Sequence, residues 1–497
     1  MMKPWFFLLS VLLAFSGCVT YKNSVGTRKY APETLQKDYD LFQNIIEEAH
    51  PGLYWYMPKD SMDQYFSLGR SLLKDSLTEP GFRTVLNYVV SKLGCGHTSV
   101  RSSKQYARLR DTVSRGLFPL AFKLWPDTAL VTANFHTGPS PVRRGDIITA
   151  IDGVPMQRIV DSLFLFLSTD GYNLTHKYQT LSNRGTFGAV YQSVFGARRG
   201  WNVRYTDSSG KENNAIIRQF TVPADSAERL AQTAGLPRPQ KISRRERKKA
   251  GLLYSRELRI DSSGTTAFMD LNTFQSSGKL RSFFRRSFKQ LQTARIANLV
   301  IDLRTNGGGN VINSNLLTKY IADQPFKIAD SLYTRIKGSQ YGQYQQHRFW
   351  NWLFAVFMTR KKADGFYHFG YYERKRFKPK RHNHFGGQVY VLSGGNTFSA
   401  STLFIKAVKE QKNVTIVGEE TGGGAYGNNA WLIPSVTLPA TRVRMRLPLY
   451  RLVIDKNEVK GFGVQPEVPA FPTTEAIRKN FDFKTAKALE LINADKR

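Results

Sequence analysis

A multi-domain α/β protein is what this sequence predicts: a helical N-terminal region, a β-rich middle and a layered α/β core with a mainly parallel sheet. Three observations carry that prediction. The 497 residues exceed what one hydrophobic core organises, so two or three domains are expected. An apolar fraction of 41% against 22% charged residues belongs to a chain that buries a core rather than to a disordered one. In the second half, short apolar strands take turns with amphipathic helices, the pattern of a sheet with crossover connections.

The first eighteen residues read as an export signal. Lys3 supplies a positive start, Trp5 to Phe15 is an apolar run too short to span a bilayer, and Ser16 and Gly17 precede Cys18. Small residues directly before a cysteine resemble a bacterial lipobox, although Phe15 stands where Leu is usual. Acylation of Cys18 would anchor an exported protein in the cell envelope, periplasmic or outer membrane, without a transmembrane helix. The alternative is an ordinary cleaved signal with an incidental cysteine. With Cys18 acylated, Cys95 has no partner for a disulfide. Neither cysteine has zinc-type spacing and no HxxxH pair occurs, so neither metal nor cofactor is implied.

Lys and Arg number 72 against 38 Asp and Glu, a net charge of +34. The excess gathers in Arg238 to Arg259, containing RRERKK, and in Arg360 to Arg381, containing ERKRFKPKR. No RNP, zinc-finger or P-loop signature accompanies these stretches. They are expected to be solvated or membrane-facing loops, and nucleic acid is not an expected partner.

After a tether over 19–30, residues 31–100 carry helical periodicity: Leu41, Ile45, Ile46 and Ala49, then Leu68, Leu72 and Leu73, then Phe82, Val85, Leu86, Val89 and Val90. Thr78 before Glu79 and Pro80 marks a helix start. Residues 115–220 change to short strands and turns around Ile147, Ile148, Ile151 and the Asp152-Gly153 turn, with a helix expected over Ile159 to Phe166. This GDxIxxIxG string followed by a helix resembles the core of a PDZ module, which binds peptide C-termini at its sheet edge. A plain β-hairpin is the alternative. Residues 221–254 read as a basic linker or insertion. The α/β core is placed at 255–475, interrupted by a basic insertion at about 330–385, and 476–497 is a C-terminal helix. Its strands are expected at Thr265 to Leu271, Asn298 to Leu303 and Gln388 to Leu392, and its helices at Ser282 to Ala294, Asn310 to Ile321 and Ala400 to Lys409. NLVIDL and QVYVLS, apolar throughout, fit strands buried on both faces.

Three motifs fall at the ends of such strands, where open α/β sheets carry their sites. Asn298 to Asn310 runs a strand into Gly307-Gly308-Gly309 and then a helix; freely turning amides there serve a developing oxyanion, cradle a phosphate or simply make a sharp turn. Gln388 to Ser401 runs a strand into Gly394-Gly395 and Ser399, a residue placed either to present a nucleophilic hydroxyl or to cap the helix that follows. The string is not the GxSxG elbow, which disfavours an α/β-hydrolase. Val414 to Gly424 runs a strand into Glu419, Glu420 and three more glycines, where a carboxylate is available to orient a histidine.

Taken with HPGLYWY at His50 to Tyr56, GHTSV at His97 and GFGVQPEV at Gly461 to Val468, these motifs resemble the tail-specific, or C-terminal processing, serine proteases over nearly the whole chain. That family includes the tricorn core protease and the interphotoreceptor retinoid-binding protein. The resemblance implies a ClpP/crotonase-like core, with Ser399 attacking the scissile carbonyl and the N–H groups of Gly308 and Ala400 forming the oxyanion hole. The tail-specific branch places its base lysine where this chain has Gly424. The tricorn-like branch uses a histidine at the position of His97, oriented through a Glu whose place is taken here by Lys460. Glu419 is then the expected orienting carboxylate, with Glu420 and Glu458 as alternatives. The implied substrates are proteins or peptides of the envelope or exported proteins, cleaved through an acyl-enzyme. A non-catalytic binding protein on the same scaffold is the alternative.

Overall fold

A computed structural model of the chain describes residues 27–112, 115–136, 140–222 and 243–494. The expected leader with Cys18, most of the tether and residues 223–242 of the linker lie outside the described residues.

The N-terminal helices Pro32–Ala49 and Glu79–Lys92 form where the apolar spacing predicts; Lys59–Ser71 also forms, but it buries Met62, Phe66 and Gly69 while Leu68 and Leu72 of the expected stripe are exposed. Thr78 caps the third through a bond from Gly81 N, with Pro80 in the first turn. Leu35, Phe42, Ile46, Phe82 and Val89 close into one core, and residues far down the chain complete it: Val436, Leu438, Val443 and Met445. Buried Asp38 fixes this union by accepting hydrogen bonds from Ala440 N, Thr441 N and Thr441 Oγ1. The strand Ser99–Arg101 pairs antiparallel with Arg444–Arg446, so the segment after His97 is tied to the C-terminal part of the chain.

The β-rich middle is an antiparallel sheet with strand order Glu212–Arg218, Gly200–Thr206, Ile147–Ile151, Thr128–Asn134, Leu120–Trp125. Its helix spans Met156–Phe164, starting earlier than expected, and further helices lie at Leu174–Ser182 and Thr186–Phe195. Trp201, Phe122, Phe187 and Leu163 fill its core.

The third unit is a six-stranded sheet ordered Arg256–Ile260, Thr266–Leu271, Asn298–Asp302, Gln388–Ser393, Val414–Gly418, Val468–Pro469. The first pair is antiparallel and the rest are parallel. Leu299, Ile301, Val389 and Val391 face helices Leu280–Thr293, Val311–Ile321 and Ala400–Val408 on one side. Val300, Tyr390 and Leu392 face the C-terminal helix Phe483–Ala494 on the other. Each such buried aliphatic side chain stabilises by about 1.5–3 kcal/mol, and cover on both faces explains why these strands lack polar alternation.

Two stretches expected as loops are ordered elements. Arg244–Ser255 is a helix, started by a capping box in which Ser243 and Glu246 bond each other's backbone. Within the basic stretch after residue 360, Arg360–Lys361 and Tyr367–His368 join Ser331–Thr334, Tyr450–Val453 and Gly427–Trp431 in a five-stranded sheet, and helix Arg348–Met358 precedes them. Charge composition concealed a cap in the first case and long-range pairing in the second.

Candidate active site

Ser399 sits where the strand Gln388–Ser393 has ended and helix Ala400–Val408 begins, with φ +58° and ψ −120°. A non-glycine residue there costs on the order of 1–3 kcal/mol and persists only when its surroundings over-determine it. They do. Thr397 Oγ1 donates to Leu303 O at 2.8 Å and accepts from Gly394 N at 3.0 Å, and Phe398 N donates to Asn306 O at 3.1 Å. The Ser399 side chain makes no cap bond to its helix, so the capping role is not the one it plays. Half-buried, its hydroxyl stands at the positive end of the helix dipole.

The glycine turn after Asn298–Asp302 packs directly against this serine. A Cβ on Gly308, whose φ is +93°, would lie 2.8 Å from Ser399 Cβ and 2.9 Å from Ala400 N, so only glycine fits. The turn is held by Asn306, fully buried, whose Nδ2 donates to Leu271 O and whose Oδ1 accepts from Gly308 N at 2.9 Å. The two expected oxyanion donors are therefore not equivalent. Gly308 N–H is occupied by Asn306, whereas Ala400 N–H belongs to the first turn of a helix, where amides lack an intrahelical acceptor.

His97 is buried and its ring lies 4.7 Å from that of Phe398, the residue before the serine. His176 stacks on the same phenyl ring, also at 4.7 Å, and its Nδ1 bonds Gly395 O at 2.7 Å. Burial pushes the His176 imidazole below its ordinary value. Neither ring nitrogen of His97 has a hydrogen-bond partner, so no Ser399–His97 bond is made in this arrangement.

The carboxylate beside His97 is Asp170, with Oδ1 3.7 Å from Nδ1, somewhat longer than a hydrogen bond. It accepts from Gly96 N at 2.9 Å and from Gly424 N at 3.4 Å. Burial works to raise its pKa, but the facing imidazole and the two amides outweigh it and hold the group below the usual carboxylate range. Asp170 reaches this place through the loop Thr169 to Asn173. Gly171 N donates to Gly94 O, Tyr172 N to Gly461 O, and Asn173 both caps Leu174–Ser182 and donates to Thr421 O.

Glu419, expected to orient His97, is instead committed elsewhere. Its Oε2 lies 2.6 Å from Lys484 Nζ and 3.9 Å from Lys123 Nζ. Burial would raise Glu419, yet the two lysines hold it below its ordinary value. The alternatives are likewise engaged: Glu420 accepts from Gly463 N and Thr175 Oγ1, and Glu458 pairs with Lys406. Sequence reasoning missed Asp170; its only local signal is the Asp170-Gly171 turn before an Asn helix cap. Among the described residues no group of His, Cys, Asp and Glu is arranged to hold a metal ion.

A strained serine at the head of a helix, a glycine turn against its amide, and a buried histidine beside a buried aspartate are the components of a serine hydrolase site, brought together on an α/β scaffold. Residues 265–469 match the family model of Peptidase family S41, and that segment carries Ser399 and the glycine turn at Gly308. His97 and Asp170 come from outside the matched segment. No curated protein matches. Among solved structures, mature CPAF is similar in fold at 14% identity and a TM-score of 0.62, over 90% of this chain and 94% of that one. Mature CPAF complexed with lactacystin gives 14% and 0.62 over 93% and 97%. A putative peptidase from Parabacteroides merdae aligns at 14% identity with a TM-score of 0.45 over 93% and 96%.

Proposed function

We propose that the chain is a carboxyl-terminal processing endopeptidase of exported or envelope proteins, in which Ser399, His97 and Asp170 act together. The observation that carries this reading is the strained, uncapped Ser399 beside Phe398, whose ring also supports His97. Substrate entry brings His97 to the Ser399 hydroxyl, a bond that such sites often tighten only when loaded. His97 then takes the proton, Ser399 Oγ adds to the scissile carbonyl, and Ala400 N–H receives the oxyanion, joined by Gly308 N–H once it leaves Asn306. Asp170 holds the imidazolium. His97 returns the proton to the leaving amine, and water activated by the same imidazole releases the acyl-enzyme.

The β-rich unit supports recognition of a chain terminus. Strand Leu120–Trp125 lies at the edge of its sheet, and a cleft of about 250 Å³ beside it is lined by Leu117, Phe118, Gly188 and Ala189. An extended peptide adding to this edge in PDZ fashion would raise the effective concentration of its scissile bond at Ser399. The N-terminal sequence supports export and acylation at Cys18. Labelling with a palmitate analogue, abolished by Cys18→Ser, is the expected result; labelling that survives the substitution rejects the anchor.

Two specific observations favour a second reading, a binding protein without catalysis: His97 makes no hydrogen bond and Gly308 N–H is occupied. A fluorophosphonate probe separates the two. Labelling of the wild type that disappears in Ser399→Ala supports the peptidase, whereas a folded wild type that stays unlabelled supports the binding protein.

A further inference from the structure

Helix Arg348–Met358, RFWNWLFAVFM, is anchored on one side only. Asn351 and Ala355 are buried, and Phe354 packs on Phe369 and Tyr450 with ring centroids 5.3 and 6.0 Å apart. The opposite side gathers Phe349, Trp350 and Phe357, with relative exposures of 57%, 66% and 74%. An outward face of large apolar side chains on an isolated helix would ordinarily face a core or a membrane. No described helix is long and apolar enough to cross a membrane. This one has the composition of a helix that lies in the interface, aromatic on the free side and basic at both ends.

The charge around it selects the partner. Arg348 opens the helix, and Arg360 and Lys361 follow it, all exposed. The acidic groups nearby are already engaged within the fold: Glu373 pairs with Lys362 at 2.6 Å and bonds His368, and Asp364 bonds His368. Beside the helix opens a cleft of about 370 Å³ lined by Lys337, Arg348, Phe349 and Trp352, cationic at its rim and aromatic at its wall. Glu48 borders the same loop but is spent on Ser339 and Gln340. That pairing of aromatic and cationic groups complements a phospholipid surface bearing negative headgroups.

We infer that helix Arg348–Met358 docks the protein onto an anionic lipid surface, with Trp350 and Phe357 entering the interface and Arg348, Arg360 and Lys361 facing the headgroups. The contact does not depend on Cys18, because it is made by the folded domain itself. With an acyl chain it supplies the second of the two signals that stable attachment needs.

The test uses the full chain and its Trp350→Ser, Phe357→Ser double variant, both with the same N-terminus, so that any difference reports the helix. Binding is measured by co-sedimentation with phosphatidylcholine vesicles, with and without phosphatidylglycerol. The expected result is preference of the wild type for phosphatidylglycerol, weakened by salt, and at least about a tenfold loss of affinity in the variant, as removal of two aromatic rings that would enter the lipid interface predicts. Both substituted side chains are exposed, and unchanged circular dichroism verifies the fold. Equal binding of the two proteins, or no preference for the anionic lipid, overturns the inference. A lipid-free dimer that the double variant dissociates also overturns it, assigning the face to a second copy.

Discussion

Two buried histidines in this protein make opposite use of their ring nitrogens. His50, fully buried in the HPGLYWY loop, bonds Thr98 Oγ1 through Nε2 at 2.9 Å and accepts from Gly52 N at Nδ1 at 3.2 Å. His97, in the loop where the Thr98 hydroxyl meets His50, has no hydrogen-bond partner for either nitrogen. An unsatisfied buried polar atom costs about 1–3 kcal/mol, so it survives where something other than stability retains it. One ring serves the fold; the other, on the proposed mechanism, is kept free for a reactant.

The sharpest way to break this contrast is to truncate each ring. His97→Ala is expected to lower kcat/KM by about a thousandfold or more while leaving the melting temperature unchanged or slightly raised, since an orphaned group is removed. A stability loss in that variant comparable with that of His50→Ala would end the distinction. Next in size is Asp170→Asn, which keeps the shape but removes the charge facing His97; kcat is expected to fall by about a thousandfold, against less than tenfold for Glu419→Gln. Steady-state kinetics on both variants checks this, and a larger effect at Glu419 would return the orienting role to it.

His50→Ala removes the acceptor of Gly52 N and one of the partners of Thr98 Oγ1, and it opens a cavity, for an expected loss of about 2–4 kcal/mol in urea unfolding. The smallest effect is in pH. Burial first, then the nearby Arg451 and Arg335, lower the His50 pKa from 6.5 to about 3. Because the folded state disfavours protonation, stability from this residue is complete above pH 6.5 and declines as pH falls from there toward about 3. The decline should be missing in His50→Gln, provided that variant folds, when unfolding is followed across that range.

How far the site could be read from sequence follows from how each residue is placed. Ser399, Gly308 and Ala400 lie at the ends of strands whose apolar runs and glycines are local signals, so their positions were legible. Asp170 was not. It reaches His97 because Gly171 abuts Gly461, whose Cα a Cβ on Gly171 would meet at 2.2 Å, and because Gly96 and Gly424 offer it amides. No spacing rule encodes contacts over such separations. Glu419 misled for the complementary reason. It neighbours the right glycines, but Lys484, on the C-terminal helix, reaches back through the fold to neutralise it. The helix Arg244–Ser255 was readable from Ser243 and Glu246, a capping signal that the surrounding run of positive charge obscured.

The pairing of Ser99–Arg101 with Arg444–Arg446 has a consequence for when activity appears. The loop bearing His97 is synthesised well before the strand that braces it. A nascent or truncated chain lacking residue 444 therefore contains His97, Asp170 and Ser399 without the pairing that braces the loop of His97. That loop is braced only once residues 444–446 are available to pair.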